Sequence, residues 1–327
     1  MGRVLRWLGF LVFLIVIGVS GVGFWGYTEF ARPGPLAAEK IIVIPSGVGI
    51  ERIAILLARH NVIKIPLVLS MAARTVAADK ALQAGEFTFP EAVSPRDVLT
   101  ILQSGKQVVR RLTVAEGLTS AEILDRLKRT EGLAGGVTVP VQEGQLLPET
   151  YHFTFGDTRN TLVKRMQSGM QKALAMLWPR RSPNLPFSTQ EEAVILASIV
   201  EKETGRAAER ARVAGVFVNR LRLNMRLQSD PTVAYGLTRG RQELGRALTR
   251  KDLKTPSSYN PSLTKGLPPA PIANPGRASL EAVMHPADTG ELYFVADGSG
   301  GHAFARSLTE HNRNVANWRK LQKTKQP

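Results

Sequence analysis

Cysteine is absent from the 327-residue chain, so neither disulfides nor thiolate metal sites are available to it. The five histidines are scattered, with no H-E-x-x-H motif and no pair at i, i+4. No G-x-S-x-G nucleophile elbow and no Walker A loop occurs. The sequence therefore predicts a protein that needs no metal and no cofactor. Any chemistry must come from acids, amides, aromatic rings and basic side chains.

Acidic residues are few, because 27 Asp and Glu stand against 43 Lys and Arg, which gives a formal net charge of +16. This excess predicts anionic surroundings, which nucleic acid, phospholipid headgroups and anionic cell-wall polymers all provide. A content of 43% hydrophobic and 21% charged residues is typical of a globular protein rather than a disordered one.

The longest uncharged run covers residues 7–28 and follows Arg3 and Arg6. Its length suffices for a bilayer-spanning helix, and Trp7 and Trp25 supply the aromatic residues of the two interfaces. The positive-inside rule predicts a cytoplasmic tail over residues 1–6 and a periplasmic or extracytoplasmic body, held at the cell (inner) membrane by one span. A cleaved signal peptide is the alternative, although no clear A-x-A site follows. An exported body argues against nucleic acid as a partner.

The body divides into a small and a large part in the predicted α+β fold. Prolines mark a linker over residues 29–40. Periodicity then predicts a compact module over residues 41–106 with a strand–helix–helix–strand core, and a further helix of this module begins at Ser94 with Pro95 at its first position. Residues 107–327 form a larger mixed α+β domain around a central helix that carries a glutamate. Six prolines within 256–275 predict a rigid wall or lid there.

The central helix has sequence signals for a helix start and a helix end. Thr189 and Glu192 have the spacing of a capping box, and Gly205 is a plausible C-terminal stop. At about 100° per residue, Glu203 lies near the centre of an apolar face, whereas Glu201 points about 160° away and is expected on the unburied side. That apolar face consists of Ile195, Leu196, Ile199 and Val200.

A carboxylate at the edge of an apolar face loses hydration, which raises its pKa toward the range that a general acid needs near neutral pH. The alternative for Glu203 is an ordinary ion pair with Arg206, Arg210 or Arg212, which follow it. Other polar and aromatic residues downstream suit a carbohydrate cleft or, individually, a solvated surface. That set is Asn219, Arg226, Gln228, Asp230, Tyr235, Tyr259 and Asn260.

Two further local predictions concern residues near this set. Asp230 is expected as the N-cap of a short helix because Pro231 follows it at the first helical position. His302 falls on a predicted hairpin and is interpreted as a structural or surface residue rather than a base.

Several ordered segments resemble the YceG-like endolytic murein transglycosylases: ILASIVEKETG, VFVNRL, MRLQSDPTVAYG, GLPPAPIANPG, HPAD and LYFVADGSGGHAFARSLTEHN. The resemblance covers roughly residues 41–318 and implies a LysM-like module at 41–106 before a catalytic domain at 107–327. By the E-K-E-T match it implies that Glu203 is the catalytic residue. By motif matching alone it implies substrate binding by Asn219, Arg226, Gln228, Asp230, Tyr259 and Asn260.

One segment departs from the family pattern. Leu147 stands where an aromatic residue is common, and Glu149 stands where Asp is common, which leaves a role for Glu149 unsupported.

The activity implied by the resemblance is endolytic cleavage of the bond between N-acetylmuramic acid and N-acetylglucosamine in nascent peptidoglycan strands. Glu203 would donate a proton to the bridging oxygen and then take one from the C6 hydroxyl of the muramic acid. This reaction would produce 1,6-anhydro ends, and it would need no second carboxylate in the enzyme. Cleavage inside the strands would limit their length, and peptidoglycan synthases are candidate partners.

Three alternatives compete with this lytic activity. A lysozyme-type muramidase would use Asp230 or Glu149 as a second carboxylate. A non-enzymatic scaffold would hold anionic wall polymer on its basic surface. A nucleic-acid binder is motivated by the charge of +16 alone.

Overall fold

The computed structural model describes residues 2–75 and 80–325, and these form eleven α-helices and six short strands. The α+β class is confirmed. The described residues fall into two compact units, the first comprising residues up to 110 with 153–156 and the second comprising 111–152 with the chain from 157 onward. Parts of the predicted tail, module and catalytic domain (residue 1, residues 76–79, and residues 326 and 327) lie outside the described residues.

The first unit begins with α1 (Gly2–Ala31), the one helix among the described residues that is long and apolar enough to cross a membrane. Its most apolar 18-residue window has a mean hydropathy of 2.3 and is not buried within the protein. Only the last residues of α1 are packed. Phe30 is buried, and the Arg96 guanidinium lies 5.7 Å from the ring centres of both Tyr27 and Phe30.

The rest of the first unit is the predicted strand–helix–helix–strand module, which is followed by a third helix. Strands β1 and β2 pair antiparallel, with Lys40 opposite Phe89, and their inner faces pack on the helices. The Ser94 hydroxyl accepts from the Asp97 amide at 3.2 Å, so the predicted start of the last helix is confirmed. The elements are β1 (Lys40–Ile44), α2 (Ile50–Arg59), α3 (Pro66–Thr75), β2 (Gly85–Phe89) and α4 (Pro95–Ser104). The likeness of this module to LysM stays a prediction.

The second unit is mainly helical, and its short strands form the pair β3 (Arg110–Thr113) with β4 (Thr150–Phe153) and the antiparallel pair β5 (Tyr293–Ala296) with β6 (His302–Ala305). Arg110 of β3 and Phe153 of β4 are grouped with the first unit. The elements are β3 (Arg110–Thr113), α5 (Ser120–Arg129), β4 (Thr150–Phe153), α6 (Arg159–Leu177), α7 (Gln190–Glu203), α8 (Ala207–Arg222), α9 (Asp230–Thr238), α10 (Arg277–Met284), β5 (Tyr293–Ala296), β6 (His302–Ala305) and α11 (Leu308–Lys325).

Helix α7 is the centre of the second unit, and every residue from 193 to 200 is buried. The predicted capping box is confirmed, since the Thr189 hydroxyl accepts from the Glu192 amide at 3.1 Å and the Glu192 carboxylate accepts from the Thr189 amide at 3.1 Å. The helix is buried on more than the single apolar face that was expected, because α8, α10 and the proline-rich segment surround it. The predicted stop is confirmed, because Gly205 directly follows the C-cap residue. The helix ends at Glu203, and Thr204 takes an extended conformation as the C-cap.

Buried polar side chains fix the proline-rich segment against α7, which supports the prediction of a rigid wall. The Ser198 hydroxyl accepts from the Ile272 amide at 3.0 Å. Asn274 is fully buried, and its Oδ1 accepts from the Leu146 amide at 2.9 Å. Its Nδ2 donates to the Leu118 carbonyl at 3.1 Å and to Glu143 at 3.0 Å.

We expect Asn274→Ala to destabilise the second unit by about 1–3 kcal/mol, because the buried Leu146 amide loses its acceptor and the Glu143 carboxylate loses a donor. The free energy of unfolding by urea measures this effect. Asn317→Ala, on the exposed side of α11, is the matched control and should leave stability within about 0.5 kcal/mol of the wild type. Equal effects of the two substitutions would contradict the role assigned to Asn274.

Candidate functional site

Glu203 is the last residue of α7, so its side chain emerges where the buried helix leaves the core. The Ser229 hydroxyl, at the start of α9, donates a hydrogen bond to the Glu203 carboxyl. Asp230, Arg220 on α8 and His302 on β6 are close enough to act on its charge. Residues distant in sequence therefore converge on one half-buried carboxyl group.

Burial is the main reason why the pKa of Glu203 rises from 4.5 to about 7. The negative charge of Asp230 raises this pKa as well. The Ser229 hydrogen bond and the positive charges of His302 and Arg220 act in the opposite direction. Near neutral pH the carboxyl group can therefore both donate and accept a proton, which is what general acid–base catalysis requires.

Ser229 is a site residue that the sequence interpretation missed. It is almost fully buried, and the Thr232 hydroxyl donates to its Oγ at 3.1 Å. Asp230 was wrongly predicted as the N-cap. Ser229 holds that position, and its side chain does not cap the helix. Its hydroxyl interacts with Glu203 instead. The sequence signal that could have identified Ser229 is its position directly before Asp230 and Pro231.

His302 is held beside the site by an ion-pair contact. Its Nδ1 lies 2.7 Å from the Glu209 carboxylate, and its backbone amide donates to the same carboxylate at 3.2 Å. Its ring packs edge-to-face on Phe294, with 5.2 Å between ring centres. The Arg206 guanidinium also donates to the Ser299 carbonyl at 2.7 Å in the hairpin turn. These contacts give His302 a structural position, and they also place its imidazole ring near Glu203.

Arg220 is a second residue that the sequence interpretation did not include in the site. Its guanidinium is buried and donates to the carbonyls of Leu292 at 2.6 Å and Leu227 at 2.7 Å. It also lies 5.2 Å from the centre of the Tyr293 ring. Burial lowers the pKa of this guanidinium, whereas the charge of Glu203 raises it. A fixed cation therefore faces the carboxyl group.

Two predicted substrate-binding residues use their amides within the protein. The Asn219 Nδ2 donates to the carbonyls of Thr289 at 2.6 Å and Glu291 at 3.2 Å, just before β5. Asn260 is almost fully buried. Its amide nitrogen donates to the carbonyls of Leu253 and Thr255, and its oxygen accepts from the Ser262 amide. These contacts shape the loops around the site.

The other predicted residues are placed differently. Arg226 and Gln228 are exposed in the segment that leads into α9. Asp230 is exposed as the first residue of α9, and it is the one of the three that acts directly on Glu203. Tyr259 is buried against Tyr235, with 5.1 Å between ring centres and the Arg239 guanidinium 5.1 Å from the Tyr259 ring. Substrate binding by all six predicted residues remains a prediction.

Glu201 was expected on an unburied side of α7, and this was wrong. Its side chain is only 6% exposed, and its carboxylate accepts from the Gly276 amide at 2.8 Å. Arg210 lies 3.8 Å from the same carboxylate. Glu201 and Glu203 do lie on different sides of α7, but the start of α10 packs against the Glu201 side and buries it.

Glu149 pairs with Arg277 at 3.6 Å, and both side chains are about half exposed. Asp230, rather than Glu149, is the carboxylate that acts on Glu203. Within the described residues, no three His, Asp or Glu side chains are grouped so that they could hold a metal ion.

Comparison with known families matches residues 42–317 to the YceG-like family. The chain belongs to the YceG-like family. A YceG-like protein of Listeria monocytogenes, solved by crystallography, has a TM-score of 0.51 and 29% identity, and the match covers 85% of this chain and 99% of that one.

Two curated relatives are each named endolytic murein transglycosylase. The Streptococcus pneumoniae protein is 28% identical over 363 residues, covering 94% of this YceG-like chain and 64% of the relative. The Bacillus subtilis protein is 36% identical over 172 residues, covering 52% of this chain and 46% of the relative. The chain therefore spans less than two thirds of the length of the curated relatives it matches.

We expect substitutions of Ser229 and Asp230 to move the pKa of Glu203 in opposite directions. Ser229→Ala removes a hydrogen bond to the charged form, so the pKa rises. Asp230→Asn removes a nearby negative charge, so the pKa falls. An NMR titration of the Glu203 carboxyl carbon measures both shifts. Ser229→Thr keeps the hydroxyl and serves as the control, and shifts of the same sign would contradict the arrangement.

Glu203→Gln should change the pH dependence of stability. Because the pKa of Glu203 in the folded protein is about 7 against 4.5 ordinarily, its contribution to stability is complete below about pH 4.5 and is lost as the pH rises through 7. The variant should therefore gain on the order of a few °C in Tm relative to the wild type between pH 5 and pH 8. Differential scanning calorimetry measures this, and a Tm difference that does not change with pH would refute it.

Proposed function

We propose that this YceG-like chain is an endolytic lytic transglycosylase of peptidoglycan. It cleaves the β-1,4 bond from N-acetylmuramic acid to N-acetylglucosamine within glycan strands and leaves 1,6-anhydro ends. The observation that carries the proposal is the half-buried Glu203 carboxyl group, whose pKa of about 7 suits both halves of the reaction. The names of the curated relatives support the same activity.

In the first step the protonated Glu203 donates its proton to the bridging oxygen. The bond from that oxygen to the anomeric carbon breaks, and the leaving sugar departs with a hydroxyl group. Positive charge develops at the anomeric carbon while Glu203 becomes a carboxylate. The Ser229 hydrogen bond and the nearby Arg220 guanidinium stabilise this new negative charge.

In the second step the Glu203 carboxylate removes the proton from the C6 hydroxyl of the muramic acid. The C6 oxygen then bonds to the anomeric carbon, which closes the anhydro ring and restores the acid. No water is consumed, so the reaction requires no second carboxylate to activate one. One group with a pKa near the working pH can perform both transfers.

Helix α1 supports membrane anchoring, with Arg3 and Arg6 on the cytoplasmic side and the body outside. The net charge of +16 favours headgroups and anionic wall polymers as surroundings. An enzyme held there meets strands as they leave the peptidoglycan synthases, which are its candidate partners. Cleavage inside those strands limits their length.

The proximity of Asp230 to Glu203 favours a second candidate, a lysozyme-type muramidase. In that reaction Asp230 would activate water or attack the anomeric carbon, and the products would carry reducing ends rather than anhydro ends. A scaffold that only binds wall polymer is the third candidate, and it needs no acid at Glu203.

The decisive experiment incubates the full chain in detergent with purified glycan strands and identifies the ends by mass spectrometry. We expect internal cleavage with anhydro ends, and a loss of at least about 100-fold in rate for Glu203→Gln with the fold retained. Glu281→Gln, at an exposed position of α10, is the matched control and should cleave at the wild-type rate.

The alternatives give different products. Reducing ends would establish the muramidase and refute the transglycosylase. Unchanged strands with the wild-type protein, or equal cleavage by Glu203→Gln, would refute both reactions at this residue.

A further inference from the structure

A cavity of about 580 Å³ lies in the second unit beside the first half of α7. Val194 lines it, and this residue projects about 180° from Glu203 around the helix. Gln190, at the cavity, precedes Glu203 by about 20 Å along the helix axis. The cavity is therefore separate from the catalytic carboxyl group, and its volume is within the range of ligand sites.

Glutamine dominates the polar part of the lining. Five of the fifteen lining residues are glutamines, contributed by α6, α7 and the loop at residues 142–145. Gln167 and Gln171 stand one turn apart on α6, across from Gln190 on α7. The Gln171 and Gln190 amides form no hydrogen bond within the part of the chain that the structure describes. Each can both donate to and accept from a ligand, which is the pattern that peptide bonds match.

The walls of the cavity are pre-formed. Gly144 has φ +79°, and a Cβ there would lie 2.6 Å from Pro271 and 2.8 Å from Val194. The loop can therefore approach the proline-rich wall only because position 144 is glycine. Ser198 and Asn274 fix the same wall with buried hydrogen bonds. Preorganisation of this kind lowers the entropic cost of binding.

The charge of the lining selects against anionic ligands. In a chain with 43 Lys and Arg, the fifteen lining residues include none, but they include Glu143 and the exposed Glu191. They also include no aromatic ring on which a sugar could stack. Val194 and Ile195 offer apolar contacts for small side chains. Amides, methyl groups and a carboxylate together fit a short peptide with an amine better than a saccharide.

We propose that this cavity binds a peptide stem of peptidoglycan, an inference that rests on the proposed function. Gln171 and Gln190 pair with its peptide bonds, Val194 and Ile195 contact its alanyl methyl groups, and Glu191 receives the ammonium of its diamino acid. The site is thus a second point of attachment for a strand that is cut about 12–20 Å away along α7, the axial rise from Ile195 and from Gln190 to Glu203.

The binding test uses the full chain in detergent with Glu203→Gln, which prevents turnover. The probe is a synthetic stem pentapeptide with an amidated glutamyl residue and a free lysine amine, titrated by calorimetry. Adding Gln171→Leu and Gln190→Leu should weaken binding about tenfold, because two hydrogen bonds are lost. Gln322→Leu, on the exposed side of α11, is the matched control and should leave the affinity unchanged.

The same titration can overturn the inference. It fails if the pentapeptide does not bind, or if the double substitution and the control give the same affinity. It also fails if a peptide-free N-acetylglucosamine tetramer, rather than the peptide, shifts the side-chain amide NMR signals of Gln171 and Gln190.

A cleavage assay separates this inference from the proposed function. Wild-type protein should show a lower KM for strands with stems than for strands stripped of them, and the double glutamine substitution should remove that difference. Equal KM values for both strands refute the peptide site while the transglycosylase stands. Failure to cleave either strand, with peptide binding intact, refutes the transglycosylase instead.

Discussion

The removal of one carboxyl group from water is the interaction on which this site depends. Glu203 lies where a helix that is buried on every side reaches the surface, so its carboxyl group is neither fully hydrated nor sealed inside. Burial sets the direction of its pKa, and the polar neighbours decide how far that pKa moves. Ser229 and Arg220 favour the charged form, whereas Asp230 opposes it. The balance leaves the group able to change its protonation state within a single reaction.

The surrounding structure maintains that balance by fixing backbone rather than by adding charge. Arg220, Asn219 and Asn260 give their donors to backbone carbonyls, and Asn274 joins the proline-rich segment to the start of α5. The hydrogen bonds of each of these side chains offset the cost of removing its polar group from water. The result is a rigid frame in which α8, α9 and β6 present single residues to Glu203.

Local signals explain what the sequence could predict. The capping box at Thr189, the proline after Asp230 and the alternating hairpin around His302 depend on neighbouring residues, and the corresponding elements lie within one or two residues of their expected bounds. The role of Ser229 and the burial of Glu201 depend on segments more than 25 residues away, which periodicity does not register. A motif also does not reveal whether an amide such as that of Asn260 is directed at a ligand or at the backbone.

Glu201 has a consequence for how the E-K-E motif is interpreted by mutagenesis. Its carboxylate accepts from the amide of Gly276, the N-cap residue of α10, so its removal would loosen the packing of that helix against α7. Under the proposed mechanism, loss of activity in a Glu201 variant would accordingly resemble loss of the acid, although Glu203 itself had not been changed. Of two glutamates separated by a single lysine, Glu201 fixes the packing of α10 and Glu203 is the one to which we assign proton transfer, and thermal denaturation curves rather than rates tell their variants apart.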